Sequence, residues 1–304
     1  MLTRPVWQKY LTQTLAQGEL SYQYCGLGSE ANDINDINVI ALHGWLDNSA
    51  SFTPMLEFLL QQEVAIGIDV YALDFAGHGH SFHRPPGCFY TIWDYAIDVA
   101  QFITAKSLDK VVLLGHSMGA CVAPLVASIL PDRVQAICAI EALGPISTAV
   151  MDTSRQLHKA VSRQRQQQQR TAKVFASVEE ALMARLGAKI SLHKAAASLL
   201  VDRAIMPCEG GFTWRSDRRA TLPSPVRFSE DQVQAILTAL QCPVTLVVGD
   251  HLQTDEQLTV RAQVVTQLRR LPLSGGHHLH MENQIPGCVQ ALMDLVVNAV
   301  DKEQ

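Results

Sequence analysis

A serine framed by glycines, Gly115-His116-Ser117-Met118-Gly119, follows the apolar run Val111-Val112-Leu113-Leu114 and precedes an alanine-rich helical stretch. Strand, sharp turn and helix, with the serine at the apex, is the order that lifts a hydroxyl clear of the backbone as a nucleophile. The glycines stand where a side chain would collide with the neighbouring strand and helix. An unactivated serine is a poor nucleophile, so Ser117 requires a base, an acid to orient that base, and an oxyanion hole. The loop Gly275-Gly276-His277-His278-Leu279-His280 can carry the base, and His277, beside the glycine pair, is the candidate. His278 and His280 are spaced to face other directions and read as wall or packing residues.

An oxyanion hole needs two backbone N–H groups aimed at the developing charge. Met118, behind the nucleophile, supplies one. The loop His43-Gly44-Trp45-Leu46-Asp47-Asn48 supplies the other, with Trp45 donating through its backbone and not its ring. His43 reads as a hydrogen bonder that braces this loop. Two carboxylates lie between serine and histidine in chain order and could be the acid. Glu141 ends an apolar strand, and Asp250 ends the next one in Gly249-Asp250-His251; Asp255 is a weaker third. A glutamate among Ile140, Ala142 and Leu143 is costly to bury without a partner such as an imidazolium. Glu141 is therefore preferred, with Asp250 kept as the alternative.

These groups must be held by a sheet and its helices. Strand-like segments at 19–24, 39–42, 64–73, 110–114, 134–140, 242–249 and 269–273 alternate with helical ones at 51–62, 91–107, 118–130, 255–268 and 282–300. That alternation predicts an α/β fold with a mostly parallel central sheet flanked by helices. Residues 26–38 are polar and turn-rich. Residues 144–240 interrupt the alternation with helical patterns and read as an inserted helical cap, dividing the core into 1–143 and 241–304. The run from Arg163 to Arg170, rich in glutamine, reads as a solvated helix face.

Composition narrows the partners. The chain has 304 residues, 48% hydrophobic and 17% charged, with a formal charge of −5. It is globular, and it lacks the basic footprint of a nucleic-acid binder. No apolar stretch approaches the roughly 18–20 residues of a membrane span. The first residues, Met1 to Gln8, lack the apolar core of a secretory signal. Seven scattered cysteines, an odd number without ligand spacing, fit free thiols in a reducing cytoplasm.

The quoted segments resemble the α/β-hydrolase superfamily, and within it the serine hydrolase-like proteins, over nearly the whole chain. Residues His43 to Phe52 are similar to that group's oxyanion loop, and Asp74-Phe75-Ala76-Gly77-His78-Gly79-His80-Ser81 to its D-x-x-G-H-G-x-S turn. Gly115 to Gly119 matches its elbow, Gly275 to Met281 its histidine loop, and Glu209 to Arg215 a cap segment of bacterial members. The resemblance implies an α/β-hydrolase fold with a helical lid and a Ser–His–acid triad, and it supports Glu141. A serine at position 117, where haloalkane dehalogenases and epoxide hydrolases carry aspartate, argues against those two reactions. The expected activity is hydrolysis of a small-molecule ester or thioester with an apolar acyl part, with no cofactor or metal. Trp214 and Phe212 are candidate lining residues for the acyl group, or packing residues at the seam. A ligand- or partner-binding module, carbon–carbon bond hydrolysis and acyl transfer remain the alternatives.

Overall fold

The computed structural model describes residues 6–27, 37–62 and 66–301. In chain order the first elements are β1 (Val6–Leu15), β2 (Gly18–Leu27), β3 (Ile37–Leu42), α1 (Thr53–Leu59) and β4 (Ile68–Leu73). Next come α2 (Ile92–Ala105), β5 (Val111–His116), α3 (Met118–Ile129) and β6 (Val134–Ile140). The chain then passes through α4 (Thr153–Gln168), α5 (Val178–Leu186), α6 (Lys194–Ala204), the hairpin β7 (Ile205–Cys208) and β8 (Gly211–Trp214), and α7 (Glu230–Thr238). It closes with β9 (Val244–Val248), α8 (Glu256–Gln263), β10 (Leu268–Pro272) and α9 (Ile285–Asp301).

One sheet of eight strands, ordered β1-β2-β4-β3-β5-β6-β9-β10, forms the frame. The β1–β2 and β2–β4 pairs are antiparallel, and the pairs from β4 to β10 are parallel. Every residue of β5 and β9 is buried, as expected of strands covered on both faces. Each fully buried valine or leucine there stabilises the fold by about 1.5–3 kcal/mol. One sheet face packs on α2 and α3 through residues such as Val99, Phe102 and Val122. The other packs on α1 and α9 through Phe52, Met55, Leu292 and Val296.

Register brings the strand ends into a row. Leu42 pairs with Gly115, His116 with Ile140, Ile140 with Val247, and Val248 with Pro272. The residues next in the chain therefore emerge side by side at the carboxyl edge. The strands following β3 lie on opposite sides of it, β4 on one and β5 on the other, so the loops after β3 and β5 diverge and open a crevice.

Most expected elements occur within a few residues of their places. The strand expected at 64–73 begins at Ile68, and Val64 lies outside the described residues. Within the expected turn-rich stretch, 28–36 lie outside them too. The helix expected at 255–268 ends at Gln263, because Val264-Val265-Thr266 is a β-branched run that disfavours helix. The last helix starts at Ile285, not 282, since Pro286 is tolerated only in the first turn. Between β6 and β9 the chain builds a small second core, in which Phe175, Ala181, Leu182, Ala197 and Leu200 are buried together with Met281 from the loop after β10. Phe212 and Trp214 pack against that core, Trp214 meeting Phe175 edge-on at 5.1 Å. In α4 only Ala160 is buried, which leaves the glutamine run largely at the surface.

Candidate active site

Ser117 sits between β5 and α3 with φ 49° and ψ −109°, a conformation an L residue adopts only under constraint. The neighbouring glycines permit it. A Cβ on Gly119 would lie 1.8 Å from the Leu42 carbonyl oxygen, and one on Gly115 2.6 Å from the Ala120 nitrogen. The elbow is stitched from both sides: Ser117 N–H donates to the Ile140 carbonyl at 2.8 Å, and Gly119 N–H to the His43 carbonyl at 3.1 Å. Met118 opens the twelve-residue α3, so its amide lies at the positive end of the helix dipole.

His277 reaches this edge from the loop after β10. Its carbonyl accepts from His116 Nε2 at 2.9 Å, and the two rings lie 4.8 Å apart. The candidate base is thus held against the residue that precedes the serine. Its Nδ1 donates to Glu141 Oε2 at 3.3 Å, which leaves Nε2 unprotonated and able to accept a proton. The hydrogen bonds at His277 run to Glu141 and His116 and not to Ser117. Such pairs are commonly long in ligand-free enzymes and tighten on substrate binding.

Of the two carboxylates weighed from the sequence, the fold brings Glu141 to the histidine. Its side chain is fully buried, its backbone has φ 65°, and its Oε1 accepts from the Gly249 amide. Asp250 is exposed, and its carboxylate accepts from the Gly275 and Gln253 nitrogens, bracing the histidine loop from outside. Asp255 caps α8 by accepting from the Leu258 amide. His251 Nε2 lies 3.2 Å from Glu141 Oε2, a second imidazole that the sequence did not single out. Only its place one residue beyond Asp250 could have suggested it.

The loop after β3 is pinned to the segment between β6 and β9. Trp45 Nε1–H donates to the Ala220 carbonyl at 2.8 Å, so the ring nitrogen is already engaged. Asn48 Nδ2 donates to the Leu200 carbonyl, and Arg185 on α5 pairs with Asp47 at 3.0 Å. Leu46 joins Ser117 and Glu141 among residues with positive φ. Strain of this kind collects at functional sites. His43 is fully buried, donating from Nδ1 to the Gly44 carbonyl and accepting the Phe75 amide on Nε2, the geometry of a brace.

Beneath the elbow lies a group of buried imidazoles. His278 Nε2 donates to Asp47 at 3.1 Å, and His280 packs 4.1 Å from the His116 ring. Burial pushes His280 down to about 3 and holds His116 well below the usual histidine range, so both stay neutral near pH 7. Burial raises the Asp47 carboxyl, but the His278 hydrogen bond and charge and the Arg185 guanidinium outweigh it and hold the group low.

The turn at Asp74 to Ser81 is a brace as well. Asp74 receives Arg203 of α6 at 2.8–3.1 Å and the Ser49 and His80 amides, while Ser81 Oγ donates to its carbonyl. His78 is buried against Tyr95 and pushed down to about 3 by that burial.

The chain is similar in sequence and fold to known proteins. The α/β hydrolase fold model matches residues 37–284. A serine hydrolase-like protein from Dictyostelium discoideum is 31% identical over 263 residues, spanning 81% of this chain and 71% of the relative. The crystal structure of a hypothetical protein from Pseudomonas aeruginosa PAO1 superposes with a TM-score of 0.83 at 33% identity, covering 98% of this chain and 100% of the other. A thioesterase domain from the curacin biosynthetic pathway gives a TM-score of 0.75 at 25% identity over 94% and 100% of the two chains. Among the described residues, no helix is long and apolar enough to cross a membrane.

Proposed function

Because the chain belongs to the α/β hydrolase fold family, we propose that it is a serine hydrolase cleaving a carboxylic ester or thioester through an acyl-enzyme. Ser117 attacks the substrate carbonyl while His277 Nε2 takes its proton. Glu141 orients the ring and stabilises the imidazolium that forms. The backbone amides of Trp45 and Met118 hold the oxyanion. His277 then returns the proton to the departing alcohol or thiol, and water, activated by the same nitrogen, releases the acid.

The observation that carries this reading is the His277–Glu141 pair, 3.3 Å apart and fastened to the residue before a strained serine. The curated relative's serine hydrolase-like name and the thioesterase neighbour support the same class of chemistry. Residues 144–240 act as a helical cap on a core formed by 1–143 and 241–304, and the cap shapes the pocket for an apolar acyl group. Trp45, 52% accessible as a residue, offers apolar surface where that group would enter. The seven scattered cysteines, an odd number without ligand spacing, support a reducing, cytoplasmic setting.

Hydrolysis of p-nitrophenyl esters of graded chain length tests the proposal. Turnover that rises with acyl length and drops by several orders of magnitude in Ser117→Ala is expected. Folded protein that hydrolyses no ester or thioester would favour a binding module, and product analysis would expose carbon–carbon cleavage or acyl transfer.

A further inference from the structure

The Glu141 carboxylate has an imidazole neighbour that the hydrolytic steps do not use. His251 lies in the helical turn Asp250–Leu252 after β9, with Nε2 3.2 Å from Glu141 Oε2. His277 Nδ1 lies 3.3 Å from the same oxygen. The donor atoms of the three residues all fall within 4.8 Å of one another. Two imidazole nitrogens and one carboxylate oxygen are the donor set that holds zinc while leaving a coordination position open. Bonds of about 2.0–2.1 Å in a tetrahedral site put neighbouring ligand atoms about 3.3 Å apart. Two of the three edges already have that length, and the third closes by at most about 1.5 Å.

The surroundings suit a cation from solution. The His251 side chain is 49% exposed, so the site opens to solvent on that side. Gly249 N–H holds Glu141 Oε1, which keeps Oε2 turned toward the two rings. The other close group, Asp47 with His116 and His278, is wholly buried and already answers the Arg185 charge.

We propose that His251, Glu141 and His277 bind a divalent cation of the zinc class, and that occupancy switches hydrolysis off. The switching half rests on the serine hydrolase reading; the binding half does not. A cation on His277 Nδ1 takes the lone pair there and places the ring's one proton on Nε2. That nitrogen then donates where it must accept, so Ser117 loses its base. The His251 proton moves likewise from Nε2 to Nδ1, and no redox change is involved.

Titration calorimetry with zinc chloride on the full chain, native and His251→Gln, tests the site. The native protein is expected to bind zinc at a site that is at least tenfold weaker in His251→Gln, with no response to magnesium chloride. Exposed thiols and histidines elsewhere are common to both proteins, so the difference reports this site alone. Equal zinc affinity in the two proteins overturns the site. Fluorophosphonate labelling of Ser117 with and without zinc tests the switch, each protein compared with itself. Saturating zinc should slow native labelling at least tenfold, reversibly with chelator, and His251→Gln less than twofold at that concentration. Zinc bound with labelling undiminished overturns the switch. A native chain that never labels in zinc-free buffer ends the hydrolase reading and the switch together, while the calorimetry still decides the cation site.

Discussion

Glu141 is an acid at the end of an apolar strand, with a fully buried side chain and a left-handed backbone. A lone carboxylate there would be strongly disfavoured. The Gly249 amide and the His277 ring supply the partners that make it tenable. Comparing Glu141→Gln with Asp250→Asn in an ester assay separates the two carboxylates. An amide at 141 cannot hold the imidazolium and favours the wrong tautomer, so turnover should fall by about 10³–10⁴, the scale seen when a triad acid becomes an amide. Asp250→Asn keeps one acceptor oxygen and loses one of its two braces, to Gly275 or to Gln253, so turnover should stay within roughly tenfold, the weight of one hydrogen bond. The sequence made this choice partly legible: burial cost pointed to Glu141, while chain order left both open. His251 was not legible, because a half-exposed histidine beside a buried glutamate is a product of the β6–β9 register alone.

At the level of elements, the elbow depends on a close approach of α3 to the end of β3. Gly119→Ala puts a methyl 1.8 Å from the Leu42 carbonyl, so the helix start must shift. Overpacking of this kind costs about 1–3 kcal/mol or more, and urea unfolding should show it alongside lost phosphonate labelling. A second junction ties α6 to β4 through the buried Arg203–Asp74 pair, which also reaches Ser21 Oγ and the Lys9 carbonyl. Arg203→Met leaves Asp74 buried without its cation and should lower unfolding free energy by about 3–5 kcal/mol. Stability equal to native would show the pair to be dispensable. The buried parallel strands and the elbow helix were readable from apolar runs and alanine-rich stretches. Strand β1 was not. It is an edge strand whose register shifts between Gln8 and Leu11, and Tyr10 is exposed, so the two-residue alternation that betrays a strand is broken.

Across the whole molecule, buried carboxylates set the acid limit of the fold. Burial raises Asp74, but the Arg203 charge and hydrogen bonds hold it below the usual carboxylate range; Asp47 is held low by His278 and Arg185. An acid with a depressed folded pKa stabilises fully above its unfolded value and loses that contribution as pH falls. Thermal unfolding should therefore be insensitive to these groups above about pH 4 and weaken steadily below it. Arg203→Met should flatten that acid slope, because burial, no longer offset by the guanidinium, moves the Asp74 carboxyl up. The same two pairs tie the segment between β6 and β9 to the loops after β3 and β4, so loosening it in acid should also loosen the loop that carries Trp45. The proposed hydrolysis requires a reactive hydroxyl at position 117 served by the imidazole at 277. Fluorophosphonate labelling of the folded native chain, with the modified peptide located by mass spectrometry, tests that most directly. The adduct should fall on Ser117 and be lost in His277→Ala; a folded native chain that stays unlabelled, or labels at another residue, contradicts it.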